Sequence, residues 1–158
     1  PTRFRGRNRA DVAPLEQLNK RWFPTPPIIS GNRVVVTAPR SSNLYCFDLV
    51  TGNLSQGQLW RSAKGTNLLY LAGVYDGRVI VVGKQYVKAY SLTNGFENWN
   101  VGLSAAPSGR GVAAGDRYYL PLETGELVGI DLQKGEIVDR LKRPQGSRGL
   151  GNLELYRG

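Results

Sequence analysis

From Trp22 onward the chain is written in short runs of alternating apolar and polar positions. Such period-two runs predict β-strands with one buried face, and no stretch carries the spacing of about 3.6 residues that a helix needs. The clearest run is Leu127-Val128-Gly129-Ile130-Asp131-Leu132, followed by the turn Gln133-Lys134-Gly135 and the strand Glu136-Ile137-Val138. The same text recurs at Tyr45-Cys46-Phe47-Asp48-Leu49-Val50-Thr51-Gly52 and at Lys88-Ala89-Tyr90-Ser91-Leu92-Thr93-Asn94-Gly95. Each copy predicts a strand, a polar residue, a Leu and a tight turn closed by Gly.

A second hairpin precedes each copy. Ile28-Ile29-Ser30 turns at Gly31-Asn32 into Arg33 to Ala38, and Leu71 to Tyr75 turns at Asp76-Gly77 into Arg78 to Val82. Val112-Ala113-Ala114 turns at Gly115-Asp116 into Arg117 to Leu120. Gly, Asn and Asp supply the positive φ that two-residue hairpins require. The arginines after these turns are spaced by 45 and 39 residues, and the glycines of the second turns by 43 and 40. Two independent landmarks therefore share one period of about forty residues. Four short antiparallel strands per period predict the blades of a β-propeller; a β-sandwich has no reason to repeat its turn chemistry.

The expected organisation is a basic arm over residues 1–20, then a partial all-β propeller over 21–158. Its units fall at about 24–61, 69–101 and 111–141, and the start of another at 150–158. Trp60 and Trp99 read as the outer strands of the first two units, and Trp22, 38 residues before Trp60, as the matching strand of a preceding one. Three blades cannot close a ring, since propellers use about four to eight. The sequence thus reads as a section of something larger, or as a chain whose ring is completed by other polypeptide.

Composition changes this picture little. The 158 residues include 20 Gly and 9 Pro, as a turn-rich β protein needs, and no apolar run is long enough for a transmembrane helix. The net charge of +9 invites a nucleic-acid reading, but it sits in the flanks. Residues 1–21 hold six Lys or Arg against two acids and residues 140–158 hold five against one, while the stretch between carries ten basic and nine acidic side chains. The first twenty residues read as a solvated arm, with one turn of helix at Pro14 to Leu18 and the capacity to touch an anionic polymer. Cys46 is the one cysteine, and Ala89 and Gly129 stand at the equivalent places in the other two copies, so a small packed residue explains it better than a reactive thiol. The chain has no His, which removes His-based metal sites and His-dependent triads.

The repeated text Asp48-Leu49-Val50-Thr51-Gly52…Trp60, Ser91-Leu92-Thr93-Asn94-Gly95-Phe96-Glu97-Asn98-Trp99 and Asp131-Leu132-Gln133-Lys134-Gly135 resembles the quinoprotein-type (PQQ-like) β-propeller repeat. The resemblance runs over roughly residues 22 to 158. It implies a propeller in which the Trp docks between blades, a role that suits a large buried aromatic. It also implies two kinds of protein: quinone-dependent dehydrogenases, and non-catalytic outer-membrane assembly lipoproteins of the BamB type. The departures are an insertion at Asn53 to Gly57 before Trp60, Ser91 in place of Asp, and Asp139 where a Trp belongs. The dehydrogenases pair adjacent cysteines and hold a quinone with calcium; one cysteine and scattered carboxylates do not match them.

The expected function is therefore a non-catalytic binding or scaffolding module, with no catalytic, cofactor or metal residue and no cofactor. Its partner is a protein or the remaining blades of the same propeller. The resemblance places it in the periplasm or outside the cell. The alternatives are a fragment of a quinone-dependent oxidoreductase and an anionic-polymer binder acting through the basic termini. Strand order puts both kinds of tight turn at one end of the blades, with Asp48 and Asp131 capping the second kind. Interblade crossings gather at the other end, where scaffold loops commonly carry binding residues. The candidates there are Arg40, Asn43, Lys64, Asn67, Ser108 and Arg110, and Ser108-Gly109-Arg110-Gly111 offers backbone amides and a guanidinium to an anion.

Overall fold

The computed structural model describes residues 26–37, 43–52, 67–142 and 150–156, and the backbone of 54–61. The expected arm, its helical turn and the strand at Trp22 lie outside the described residues, as do Arg40 and Lys64. The described residues form three four-stranded antiparallel sheets in sequence order. Blade 1 comprises β1 (Ile28–Ser30), β2 (Arg33–Thr37), β3 (Asn43–Asp48) and β4 (Leu54–Arg61). Blade 2 comprises β5 (Leu68–Tyr75), β6 (Arg78–Gly83), β7 (Tyr86–Ser91) and β8 (Glu97–Gly102). Blade 3 comprises β9 (Val112–Ala114), β10 (Arg117–Pro121), β11 (Glu126–Asp131) and β12 (Ile137–Lys142). This is the partial propeller that the forty-residue period predicts.

Register repeats from blade to blade. Ser30 pairs with Arg33, Tyr75 with Arg78 and Ala114 with Arg117, so each arginine opens a second strand directly after the hairpin turn. The turns take the conformations expected of them: Asp76 and Gly77 have φ of 46° and 70°, and Gly52, Gly95 and Gly135 lie at 67°, 73° and 70°. The two kinds of turn meet at one end of every blade. There Leu49, Leu92 and Leu132 donate their amides to Asn32, Gly77 and Asp116 at 2.8 to 2.9 Å.

The core lies between sheets, because each strand sends alternate residues to opposite faces. Val35, Leu44 and Cys46 of blade 1 meet Leu71, Val79, Val81 and Tyr90 of blade 2. On its other face blade 2 packs Tyr70, Ile80, Val82 and Val87 against Tyr118, Leu120, Val128 and Ile130 of blade 3. Burial of each such side chain contributes about 2 kcal/mol. The small residues fall where predicted. Cys46 and Ala89 are fully buried, and a Cβ on Gly129 would sit 2.9 Å from the Asp139 side chain.

One expectation is corrected. The five residues from Asn53 to Gly57 do not lengthen the turn of blade 1 into a loop. Leu54 already pairs with Phe47, two residues after Gly52, just as Glu97 pairs with Tyr90 two residues after Gly95. The extra residues instead enlarge a bulge on the fourth strand. In blade 2 that bulge holds Asn98 alone, and in blade 3 Val138 alone; in blade 1 it holds residues 55–58. Bulges are where a ladder accepts surplus residues without losing the pairing on either side. As a result Trp60 lies opposite Leu44, the place that Val101 takes opposite Val87, and is not the counterpart of Trp99.

Candidate functional site

The turn end of the blades is built of self-capping motifs. Asp48 Oδ1 accepts the amides of Val50 and Thr51 at 3.0 and 2.8 Å, and Asp131 Oδ1 accepts those of Gln133 and Lys134, both at 2.8 Å. Ser91 does the same job through its hydroxyl, at 3.2 and 3.4 Å. A side chain that satisfies the amides two and three residues on holds the chain in a turn. The same bonds favour the carboxylate. The Thr51 amide above all holds Asp48, and the Lys134 and Gln133 amides hold Asp131, below the usual carboxylate range.

These turns also receive groups from the blade before. Arg33 of blade 1 donates to the carbonyls of Leu92 and Thr93 at 2.8 and 3.3 Å. Trp99 of blade 2 donates its indole N–H to the Leu132 carbonyl at 3.2 Å and lies across Gly135, where an added Cβ would come within 2.4 Å of the ring. The Trp thus docks between blades, as the repeat pattern implies. In blade 3 its place opposite the small residue belongs to Asp139, which accepts from Arg117 at 2.6 Å.

The crossing end holds the four predicted binding residues that are described, Asn43, Asn67, Ser108 and Arg110. Asn43 opens β3 and pairs in register with Arg61, while the Asn67 carbonyl accepts the Lys84 amide at 2.9 Å. Ser108 and Arg110 lie on the crossing from blade 2 to blade 3, one blade further round. Hydrogen bonds bring these two together with the segment Leu150–Tyr156. Ser108 Oγ donates to the Leu150 carbonyl at 2.5 Å, the Arg110 amide donates to Asn152 Oδ1 at 2.8 Å, and the Leu153 amide donates to the Arg110 carbonyl at 2.8 Å.

Ser108-Gly109-Arg110-Gly111 forms a crossing between blades whose amides meet protein acceptors. The amides of Ser108, Arg110 and Gly111 donate to the Pro121 carbonyl, Asn152 and the Tyr70 hydroxyl. The Arg110 guanidinium stacks over the Tyr70 ring at 4.8 Å. Donors already satisfied by protein acceptors give an anion little.

Beneath the loop, the Tyr70 and Tyr118 hydroxyls lie 3.1 Å apart in the core between blades 2 and 3. Burial pushes both phenols above their ordinary range, so the pair stays protonated and acts as a polar clasp. Sequence reading passed over these tyrosines because alternation marks them only as core. Burial likewise raises the Cys46 thiol, which leaves it a packing residue.

The family model described as outer membrane protein assembly factor BamB matches residues 8–156. No curated protein matches the sequence. Among solved structures, the computationally designed Ika4 protein is similar at 18% identity and a TM-score of 0.65, over 83% of this chain and 78% of that one. BamB from Moraxella catarrhalis is similar at 17% identity and 0.60, over 75% of this chain and 36% of its own. The quinohemoprotein alcohol dehydrogenase from Comamonas testosteroni is similar at 17% and 0.58, over 77% and 21%. The chain thus spans about a third of the length of the natural BamB and a fifth of the dehydrogenase. At such identities the likeness is one of fold.

Proposed function

Because the chain belongs to the BamB family of PQQ-like repeat proteins, we propose that it is a non-catalytic binding and scaffolding module, a section of a larger propeller. Its partner is a protein or the remaining blades of the ring, and its place is the periplasm or the cell exterior. No helix among the described residues is long and apolar enough to cross a membrane.

One observation carries the reading: carboxylates among the described residues cap turns or pair with side chains, for the most part within one blade. Asp48 and Asp131 cap turns, and Asp139 pairs with Arg117. Glu97 pairs with Lys88 at 2.7 Å, Glu126 with Lys142 at 3.3 Å, and Asp76 with Arg78 and Gln133 at 3.0 Å. A dehydrogenase of this fold needs oxygen ligands converging on calcium beside a quinone. The residues do not fit that demand. Among the described residues no group of three or more His, Cys, Asp or Glu could hold a metal ion.

The test is to add pyrroloquinoline quinone and calcium to the chain, following quinone absorbance and reduction of an electron-accepting dye with an alcohol present. The reading predicts no change in either. Quinone binding with dye reduction would overturn it in favour of an oxidoreductase fragment.

A further inference from the structure

The second turn of blade 2 differs from its counterparts in two ways. Its cap is the Ser91 hydroxyl, which accepts the Thr93 and Asn94 amides at 3.2 and 3.4 Å, where Asp48 and Asp131 accept the equivalent amides at 2.8 to 3.0 Å. A neutral acceptor at longer range holds a turn less firmly than a carboxylate. The turn also carries Asn94-Gly95, the one place in the chain where Asn precedes Gly. Asn94 is exposed, and its side-chain oxygen accepts the Phe96 amide at 3.0 Å. That bond draws electrons from Asn94 Cγ, and a next residue without a Cβ leaves the approach of its own nitrogen unobstructed. The restraint is the bond from the Gly95 amide to the Ser91 carbonyl at 2.8 Å, which points the nitrogen elsewhere while the turn is closed.

We propose that Asn94 is a modification site, converted by water to aspartate and isoaspartate as this turn opens, and that the isoaspartate releases blade 1 from blade 2. The Gly95 nitrogen bonds to Asn94 Cγ and its proton passes through solvent to the departing side-chain nitrogen. The Cγ–Nδ2 bond breaks and ammonia leaves. Water then opens the cyclic imide at either carbonyl. Opening at the Asn94 backbone carbonyl leaves Gly95 joined through Cγ, so the main chain gains the side-chain methylene. A lengthened turn cannot keep the Gly95 amide on Ser91 while the Leu92 amide stays on the Gly77 carbonyl. Arg33 of blade 1 holds blade 2 through the Leu92 and Thr93 carbonyls of this same turn, so its anchor loses its fixed direction.

In the test, the full chain is held at mildly alkaline pH and conversion at each asparagine is followed by peptide mass spectrometry, with isoaspartate told from aspartate by fragmentation. Asn94 converts about tenfold faster or more than Asn67 and Asn152, each of which precedes a Leu. Ser91→Asp, which installs the cap of blades 1 and 3, slows Asn94 about fivefold, and Ser91→Ala speeds it by a similar factor, because the turn opens less or more often. Conversion of Asn94 no faster than of Asn67 or Asn152, or equal rates in the two Ser91 variants, would overturn the proposal. The separated isoaspartyl chain loses hydrogen-exchange protection at the Leu92 and Gly95 amides and keeps it at Leu132 and Gly135, their equivalents in blade 3. Asn94→Asp, which adds the charge without the longer main chain, keeps all four protected. Arg33→Ala lowers the urea midpoint of the unconverted chain more than that of the isoaspartyl chain. Full protection in the isoaspartyl chain, the same loss in Asn94→Asp, or an equal cost of Arg33→Ala in both chains would overturn the release of blade 1.

Discussion

Gly135 sets how closely blades 2 and 3 approach. Its φ of 70° suits glycine, and the Trp99 ring occupies the space where a Cβ would stand. Gly135→Ala therefore meets both backbone strain and a steric clash, and should cost about 2 kcal/mol in chemical denaturation. Trp99→Ala should cost about 3–5 kcal/mol, because it leaves a cavity and removes the donor to Leu132. Asp48 and Asp131 make stability depend on pH. Their folded-state pKa values lie below the unfolded ones, so their stabilisation is complete above the unfolded carboxylate pKa and is lost as pH falls through the folded value. The urea midpoint should drop as pH falls below about 4, and the double variant Asp48→Asn, Asp131→Asn should show a shallower drop over that window.

At the scale of elements, the docked segment Leu150–Tyr156 depends on two glycines in contact, since a Cβ on Gly109 would meet the Gly151 backbone. Gly109→Ala should release it: the Leu153 amide loses protection from hydrogen exchange while amides of β6 and β7 keep theirs. If the two regions lost protection together, the segment would be part of the core and not docked upon it. Much of this level was legible in the sequence. The arginine hairpins and the glycine turns fell at their predicted positions because turn chemistry is local and repeats. The bulge in β4 was not legible, since the residues added between Gly52 and Trp60 look alike in a turn or in a strand. The loop at Ser108 to Gly111 reads as an anion cradle only until its acceptors are known. Those acceptors, Tyr70, Pro121 and Asn152, lie 41, 13 and 42 residues from the amides they receive, and no local pattern points to them.

At the scale of the whole molecule, three blades leave two sheet faces without a neighbouring blade among the described residues. On blade 1 that face carries Ile29, Val34 and Val36, with Ile29 62% exposed. On blade 3 it carries Tyr119, Leu127 and Leu141, with Leu141 60% exposed. Such faces in the complete blades are closed by the next sheet, and left open they favour association. Sedimentation velocity of the purified 158-residue chain over a range of concentrations therefore tests whether this chain is a section of a propeller and not a finished domain. A section of a propeller should give species larger than the monomer that grow with concentration. A folded, stable monomer at every concentration would contradict it.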